Sequence, residues 1–166
     1  MPRTRIIPDH EVFATIQRLL GEGGHKAVSF GTVSAATGLA PPTLVQRYGS
    51  RDAMVRAARL AAWDALDHRT ADAIAASADK GPQGLLKAVG AVDAASIIPD
   101  LRDPVLAQRA AVWRATMESA LADRMGGGPK ARESAALLFA AWQGQSLWSR
   151  GGESAFRLKD AVKRLT

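Results

Sequence analysis

Polar side chains suited to base recognition occur close together in one short segment of the chain. Thr43, Gln46 and Arg47 share the outward side of one predicted helix. Glutamine can pair with adenine through two hydrogen bonds and arginine with guanine, while threonine can reach a base, a methyl group or a phosphate. A helix of about residues 42–48 that carries them could lie in the major groove of double-stranded DNA. This interpretation depends on Gln46 and Arg47 projecting outward from a positively charged surface.

Further residues near this helix are suited to hold the phosphate backbone of DNA. Ser29 and Arg51 stand at predicted helix starts, where a hydroxyl, a cation and backbone N–H groups can bind phosphates. Tyr48, at the end of the same helix, can join the interface, and Arg3 and Arg5 can form a flexible basic arm. The alternative is a helical hairpin that packs and binds nothing, and spacing alone does not decide between the two.

The elements that position these residues are all predicted to be helices. No segment alternates apolar and polar residues over a strand's length, and alanine is abundant. Asp9, Ser29 and Ser50 are candidate N-caps, and Gly38 provides the turn of a helix-turn-helix. The predicted helices cover about residues 9–20, 30–37, 42–48, 51–78, 83–96, 103–125, 130–149 and 154–165. We expect a DNA-binding domain over residues 1–50 and a helical body over residues 51–166.

Charge and composition narrow the class of protein. Residues 1–60 hold eight Lys and Arg against four Asp and Glu, a net +4, whereas residues 61–166 hold fourteen against twelve, a net +2. A basic N-terminal third favours a polyanionic partner, although a solvated surface would carry the same charge. The chain has no cysteine, which excludes disulfides and thiolate metal sites and fits a cytoplasmic protein. No apolar run is long enough to span a membrane.

An enzyme is not indicated. The sequence contains no Gly-rich phosphate loop, no HExxH metal motif and no nucleophile elbow, and its three histidines are scattered. Catalysis requires a converging set of acid, base or nucleophile, and no such set is visible. We therefore expect no catalytic residues, no metal and no cofactor.

From Val28 to Met54 the chain resembles the DNA-binding signature of the TetR family of bacterial regulators. The matching positions are Ser29 for a helix-capping Thr or Ser, Gly38-Leu39 for a Gly-Val turn, Thr43-Leu44 for a Thr-Leu pair, and Tyr48, Ser50, Arg51 and Asp52 for a Phe-x-Ser-Lys-Glu ending. The resemblance covers roughly residues 9–60. It departs at Ala40, Pro42, Val45 and Arg47, where the family has, in that order, a capping Ser, a Gly or Ala, a phosphate-contacting Tyr, and a His or Tyr.

The resemblance implies an all-α protomer with a three-helix, helix-turn-helix head and a helical body for ligand binding and dimerisation. It predicts a ligand-responsive repressor that binds a palindromic operator as a homodimer and is released by a small apolar effector. The alternative is a helical dimer of the same fold that has lost specific DNA binding and acts through protein contacts. Ala40 and Val45 favour that alternative.

Two groups of residues in the rest of the chain are candidates for the effector site and the dimer interface. The predicted effector-binding residues are Trp63, Trp113, Met117, Phe139 and Trp142, all of which could equally be ordinary core. The helix around residues 137–148 is apolar almost all round, which favours a partner helix. The predicted dimer-interface residues are Leu138, Gly144, Leu147, Trp148, Phe156 and Val162.

Overall fold

The computed structural model of the chain describes residues 7–149, 151–152 and 157–165. Every regular element in these ranges is a helix, which confirms the predicted all-α class. The helices are α1 (Asp9–Gly23), α2 (Phe30–Thr37), α3 (Pro41–Tyr48), α4 (Arg51–Ala76), α5 (Pro82–Val89), α6 (Ala94–Ile97), α7 (Pro104–Asp123), α8 (Gly128–Trp148) and α9 (Leu158–Leu165). Short 3₁₀ turns lie at Gly24–Ala27 and Asp100–Arg102. No helix in the described part of the chain combines the length and the apolar character that crossing a bilayer requires.

The chain forms two compact units. The N-terminal unit ends at Asp64 and the C-terminal unit begins at Ala65, so that α4 contributes to both. The first unit extends past the expected boundary at residue 50 because Met54, Val55 and Ala58 of α4 are buried in its core. The N-terminal unit is therefore built from α1, α2, α3 and the first half of α4.

An aliphatic core holds the N-terminal unit together. Each helix supplies fully buried side chains: Ile16 from α1, Val33 from α2, Leu44 from α3 and Met54 from α4. Burying a side chain of this size stabilises a fold by roughly 1.5–3 kcal/mol. These residues follow the helical periodicity of the sequence, which fixes the inner face of each helix and leaves the opposite face to solvent.

The ends of α2 follow the capping rules that the sequence suggests. The Ser29 hydroxyl accepts a hydrogen bond from the Thr32 N–H at 3.0 Å, and the Ser29 N–H donates to Thr32 Oγ1 at 2.9 Å. This reciprocal pair is a capping box, which satisfies two backbone donors at once. At the other end Gly38 adopts φ 77° and ψ 2°, a left-handed conformation that glycine adopts without strain. Ser50 likewise caps α4, accepting from the Ala53 N–H at 3.1 Å.

Three predicted helix boundaries are wrong by three residues or more. The helix expected over residues 154–165 begins at Leu158, since Arg157 is not helical. The helix expected over residues 83–96 ends at Val89, because Gly90 takes φ 75° and breaks the helical path, and only the four-residue α6 follows. The first helix continues three residues past its predicted end at Leu20, because a single glycine is tolerated inside a helix. It stops where Gly24 takes φ 64°.

Aromatic packing and a buried hydrogen bond stabilise the C-terminal unit. Trp113 of α7 packs against Phe139 and Trp142 of α8, with ring centroids 5.6 and 6.4 Å away. The indole N–H of Trp113 donates to Thr70 Oγ1 of α4 at 2.9 Å, and both groups are buried. A buried indole that finds such a partner avoids the penalty of an unsatisfied donor.

Arg124 joins the ends of two helices in the same unit. Its guanidinium donates to the carbonyl oxygens of Ala120 at the end of α7 (2.8 Å) and of Ile74 near the end of α4 (2.9 Å). The last carbonyls of a helix have no partner within the helix and carry partial negative charge. One cation therefore caps α4 and α7 together. An ion pair between Arg109 of α7 and Asp67 of α4 (2.7 Å) adds a second link.

Candidate nucleic-acid interface

The segment α2–α3 consists of two eight-residue helices joined by a short turn. Three residues, 38–40, separate the two helices, and the helices contact each other. Leu44 is fully buried, so that side of α3 faces the core. Pro42 and Gln46, one helical turn apart, lie on the opposite side and are exposed. Gln46 therefore lies where the sequence predicts it, on the outward face of α3.

Thr43 and Arg47 form the flank of α3, between its inner and outer faces. Thr43 is partly buried. The Arg47 guanidinium does not project outward as predicted, since it donates to the carbonyl oxygen of Ile7 at 2.8 Å and lies 3.5 Å from the Asp9 carboxylate. Only 28% of the Arg47 side chain is exposed. Sequence periodicity places a residue on a helix flank, but it does not reveal which way a long side chain turns from there.

Tyr48 contacts the same carboxylate from the end of α3. Its hydroxyl donates to Asp9 Oδ1 at 2.6 Å, and its ring lies against Phe13, with centroids 6.0 Å apart. Burial, followed by the hydrogen bond to Asp9 and the negative charge of Asp9, raises the pKa of the Tyr48 hydroxyl to about 12. The predicted DNA contact at Tyr48 thus has its polar end engaged inside the N-terminal unit.

Arg51 is also engaged within the protein. Its guanidinium donates to the carbonyl oxygens of Val28, at 2.7 Å, and of His25, both just before α2, and it pairs with Asp52 at 2.8 Å. Arg51 therefore fixes the chain that leads into α2. This geometry does not support the expected role of Arg51 as a phosphate contact. The signal missed in the sequence is that an arginine can satisfy carbonyls that precede a neighbouring helix.

The first turn of α3 presents few hydrogen-bond donors. Pro41 and Pro42 occupy its first two positions and have no N–H, while the Thr43 N–H donates to the Ala40 carbonyl at 2.9 Å. Anions bind helix N-termini through such N–H groups, so a phosphate gains little there. The same prolines explain why Ala40 can stand at the cap position, since they remove two of the donors that a capping side chain would serve.

The net positive charge of the described residues 7–60 is smaller than that of the whole segment 1–60. Residues 7–60 hold six Lys and Arg and four Asp and Glu, a net +2. The other two positive charges of the first sixty residues are Arg3 and Arg5, which lie outside the described residues. Ser29, the remaining predicted phosphate contact, uses its hydroxyl in the capping box. Val45 exposes 45% of its surface beside Gln46 and gives α3 an apolar edge.

The predicted effector residues are buried and pack on one another. Trp113, Met117, Phe139 and Trp142 belong to the core of the C-terminal unit, and Phe139 and Trp142 have ring centroids 5.9 Å apart. Trp63 is also buried but belongs to the N-terminal unit. This arrangement agrees with ordinary core packing, and an effector site at these residues stays a prediction.

The predicted dimer-interface residues divide into buried and exposed ones. Leu138 is fully buried inside the C-terminal unit and is therefore unavailable to a partner, because α8 turns this residue inward. Its neighbour Leu137 is 61% exposed and Trp148 is 73% exposed. Leu147 is exposed, Gly144 and Val162 are partly exposed, and Phe156 lies outside the described residues. We name the exposed stripe of α8 the α8 outer face, which consists of Leu137, Ala140, Ala141, Gly144 and Trp148.

Comparisons of the chain with protein families, with curated proteins and with solved structures found no match. Within residues 7–149, 151–152 and 157–165, no three His, Cys, Asp or Glu side chains converge on a position that could hold a metal ion.

Proposed function

We propose that the chain is a DNA-binding transcriptional regulator that acts as a homodimer and places α3 in the major groove of its operator. One observation carries this proposal: α3 follows α2 after three residues, buries Leu44 and turns Gln46 to solvent. A helix held by its inner face with a hydrogen-bonding outer face is the arrangement that reads base edges. Gln46 is the principal reading residue, with Thr43 beside it.

The α8 outer face supports the homodimer. Leu137 and Trp148 are large exposed apolar residues at the two ends of a stripe whose centre is Ala140, Ala141 and Gly144. A Cβ atom added at Gly144 would meet no atom of another part of the protomer within 4 Å, so that a second helix can approach closely there. A two-fold axis would place the same stripe of both protomers in contact.

A second candidate function is a helical dimer that binds protein rather than DNA. It is favoured by the engagement of Arg47 and Arg51 inside the N-terminal unit and by the exposed Val45 on α3. Phosphate contacts supply a large share of the affinity of DNA-binding proteins, so the engagement of both guanidinium groups by acceptors of the protein weakens the first candidate. A response to an effector stays a prediction under either candidate.

Selection of bound sequences from random DNA tests the main proposal. The wild-type protein should enrich a palindromic sequence, and Gln46→Ala should change the preferred base at one position of each half-site. Gln108→Ala is the matched control, since Gln108 is exposed on α7 of the other unit. If no sequence is enriched at low salt by protein that is folded and dimeric, the second candidate replaces the first.

Sedimentation tests the homodimer separately from DNA binding. Leu137→Asp should weaken self-association at least about tenfold, because it places a charge in a desolvated apolar contact. Val112→Asp introduces the same charge at an exposed valine of α7 and should leave self-association unchanged. Equal effects of both substitutions would exclude the α8 outer face as the interface.

A further inference from the structure

We propose that Asp9 restrains the affinity of the N-terminal unit for DNA by holding Arg47, so that its carboxylate competes with a DNA phosphate for the guanidinium. This inference rests on the proposed function and adds an intramolecular restraint on DNA binding by the same surface. It concerns a carboxylate on α1, outside the helix that faces the groove.

The contacts of Asp9 make it the centre of a small cluster. Its Oδ1 atom accepts the Tyr48 hydroxyl at 2.6 Å and lies 3.5 Å from Nη1 of Arg47. The same Nη1 atom donates to the Ile7 carbonyl at 2.8 Å. Two consecutive residues of α3 are thus tied to the start of α1. Of these ties, the one to Arg47 removes a positive charge from the outward side.

The Asp9–Arg47 pair is suited to exchange with another anion. The Asp9 side chain is 60% exposed and that of Arg47 is 28% exposed, so water reaches both partners. Ion pairs in such positions are weak, because solvent screens the attraction. Arginine binds phosphate with two parallel hydrogen bonds, which a 3.5 Å contact to one carboxylate oxygen does not match. A phosphate within reach would therefore compete well.

Arg47 can reach the outward side without movement of the backbone. It follows Thr43 by one turn on the flank of α3, between buried Leu44 and exposed Gln46. The proposal requires rotation about the side-chain bonds of Arg47, which breaks its contacts with Asp9 and with the Ile7 carbonyl. A DNA phosphate would replace both acceptors, so removal of the Asp9 charge should shift Arg47 towards the outward position when DNA is present.

Asp9→Asn and Glu11→Gln form a matched pair for the test. Both substitutions remove one negative charge from the first turn of α1, and Glu11 is exposed there. Asparagine keeps a side-chain oxygen that can accept the Tyr48 hydroxyl, so Asp9→Asn removes the charge attraction for Arg47 and keeps its hydrogen bond to the neutral Ile7 carbonyl. Glu11→Gln therefore measures the general effect of charge on DNA binding.

The measurement is the affinity for a random-sequence duplex as a function of salt concentration. Asp9→Asn should bind roughly fivefold more tightly than Glu11→Gln at about 0.1 M salt. The plot of log affinity against log salt should steepen by about 0.9, the value for one additional phosphate contact. Arg47→Met in the Asp9→Asn background should remove both changes. Helicity and thermal unfolding of every variant confirm that the compared proteins are folded.

The possible failures separate the two proposals. If wild type binds DNA and Asp9→Asn behaves like Glu11→Gln, the inference about Asp9 is overturned and the regulator proposal stands. If Asp9→Asn binds more tightly but Arg47→Met does not remove the gain, Arg47 is not the group released and the inference is again overturned. If no variant binds the duplex at low salt, the regulator proposal itself is overturned, and the inference with it.

Discussion

The main core clusters of the two units are centred on different kinds of side chain. The N-terminal unit has an aliphatic core, with Ile16, Leu44 and Met54 among its fully buried members. The C-terminal unit places Trp113 at the centre of an aromatic group and ties it to Thr70 by a buried hydrogen bond. Aliphatic cores gain stability from area alone, whereas the indole also requires a correctly placed acceptor. The C-terminal unit should therefore tolerate substitution at its centre less well.

The two units also differ in the side chains that one of their helices presents to solvent. α3 turns Gln46 to solvent and withdraws Arg47, whereas α8 turns Leu137 and Trp148 to solvent. A polar outer face is stable in water and can exchange water for another hydrogen-bonding partner. An apolar outer face gains from being covered. These two outer faces are what the proposed DNA contact of α3 and the proposed self-association through α8 each require.

Trp113→Ala should give the largest loss of stability. It removes a large buried side chain and leaves the Thr70 hydroxyl without its donor, so the free energy of unfolding should fall by about 3–5 kcal/mol. Denaturant unfolding measures the change. Val112→Ala is the control, because Val112 is 49% exposed on the same helix and lies outside the α8 outer face, and it should change the free energy of unfolding by less than about 0.5 kcal/mol. Similar losses for Trp113→Ala and Val112→Ala would contradict the contrast between buried and exposed side chains of α7.

Arg124→Met should have the next largest effect. The substitution keeps most of the aliphatic stem but leaves the carbonyls of Ile74 and Ala120 without their charged donor, a loss of roughly 1–3 kcal/mol. Arg132→Met serves as the control, since Arg132 is exposed and makes only a 3.4 Å contact within α8. Thermal unfolding of both variants tests whether helix ends in the C-terminal unit depend on this one cation. An equal stability of the two variants would exclude that role.

Ser29→Ala tests the capping of a helix end in the N-terminal unit. Loss of the capping box should lower the free energy of unfolding by about 1 kcal/mol. Ser34→Ala changes the same residue type inside α2, where alanine is a good helix former, and should not destabilise. If Ser34→Ala were the more damaging of the two, the capping box would not be what secures the start of α2.

The remaining expected effect concerns pH, and it is absent at neutral pH. The chain has one tyrosine, so the ultraviolet absorbance of the phenolate reports Tyr48 alone. The pKa should be about 12 in the folded protein and near the ordinary value of about 10 after unfolding. Because the folded pKa is the higher one, the stabilisation is complete below about pH 10 and is lost as the pH rises towards about 12. Tyr48→Phe should remove this dependence, and a folded pKa near 10 would contradict the contact with Asp9.

Local sequence rules predicted most of the fold. Ser29, Gly38 and Ser50 act where their short-range chemistry places them, because caps and turns depend only on neighbours a few residues away. The prediction of one helix over residues 83–96 was wrong at Gly90, where local rules allow two outcomes. A glycine inside an apolar pattern can continue a helix or end it, and the choice depends on tertiary packing.

The candidate interface was predictable only in part. Helical periodicity placed Gln46 outward, where the structure has it, but it gave no information on the partners of Arg47 and Arg51. Those partners are Ile7, Asp9 and carbonyls before α2, which are distant in sequence and are brought near by folding. The prediction that Leu138 lies at the dimer interface was wrong for a similar reason, since the structure exposes Leu137 and buries Leu138. A helix that is apolar all round does not reveal which of two adjacent leucines the core will select.

The paired prolines at the start of α3 have a consequence for the chain before it folds. Each proline holds its own φ near the helical value, and it also restricts the residue before it. Ala40, which precedes Pro41, has φ −64° and ψ 142° in the folded protein, within the range that a following proline permits. The disordered chain therefore has fewer conformations to give up at this corner, and the entropy lost on forming it is correspondingly reduced.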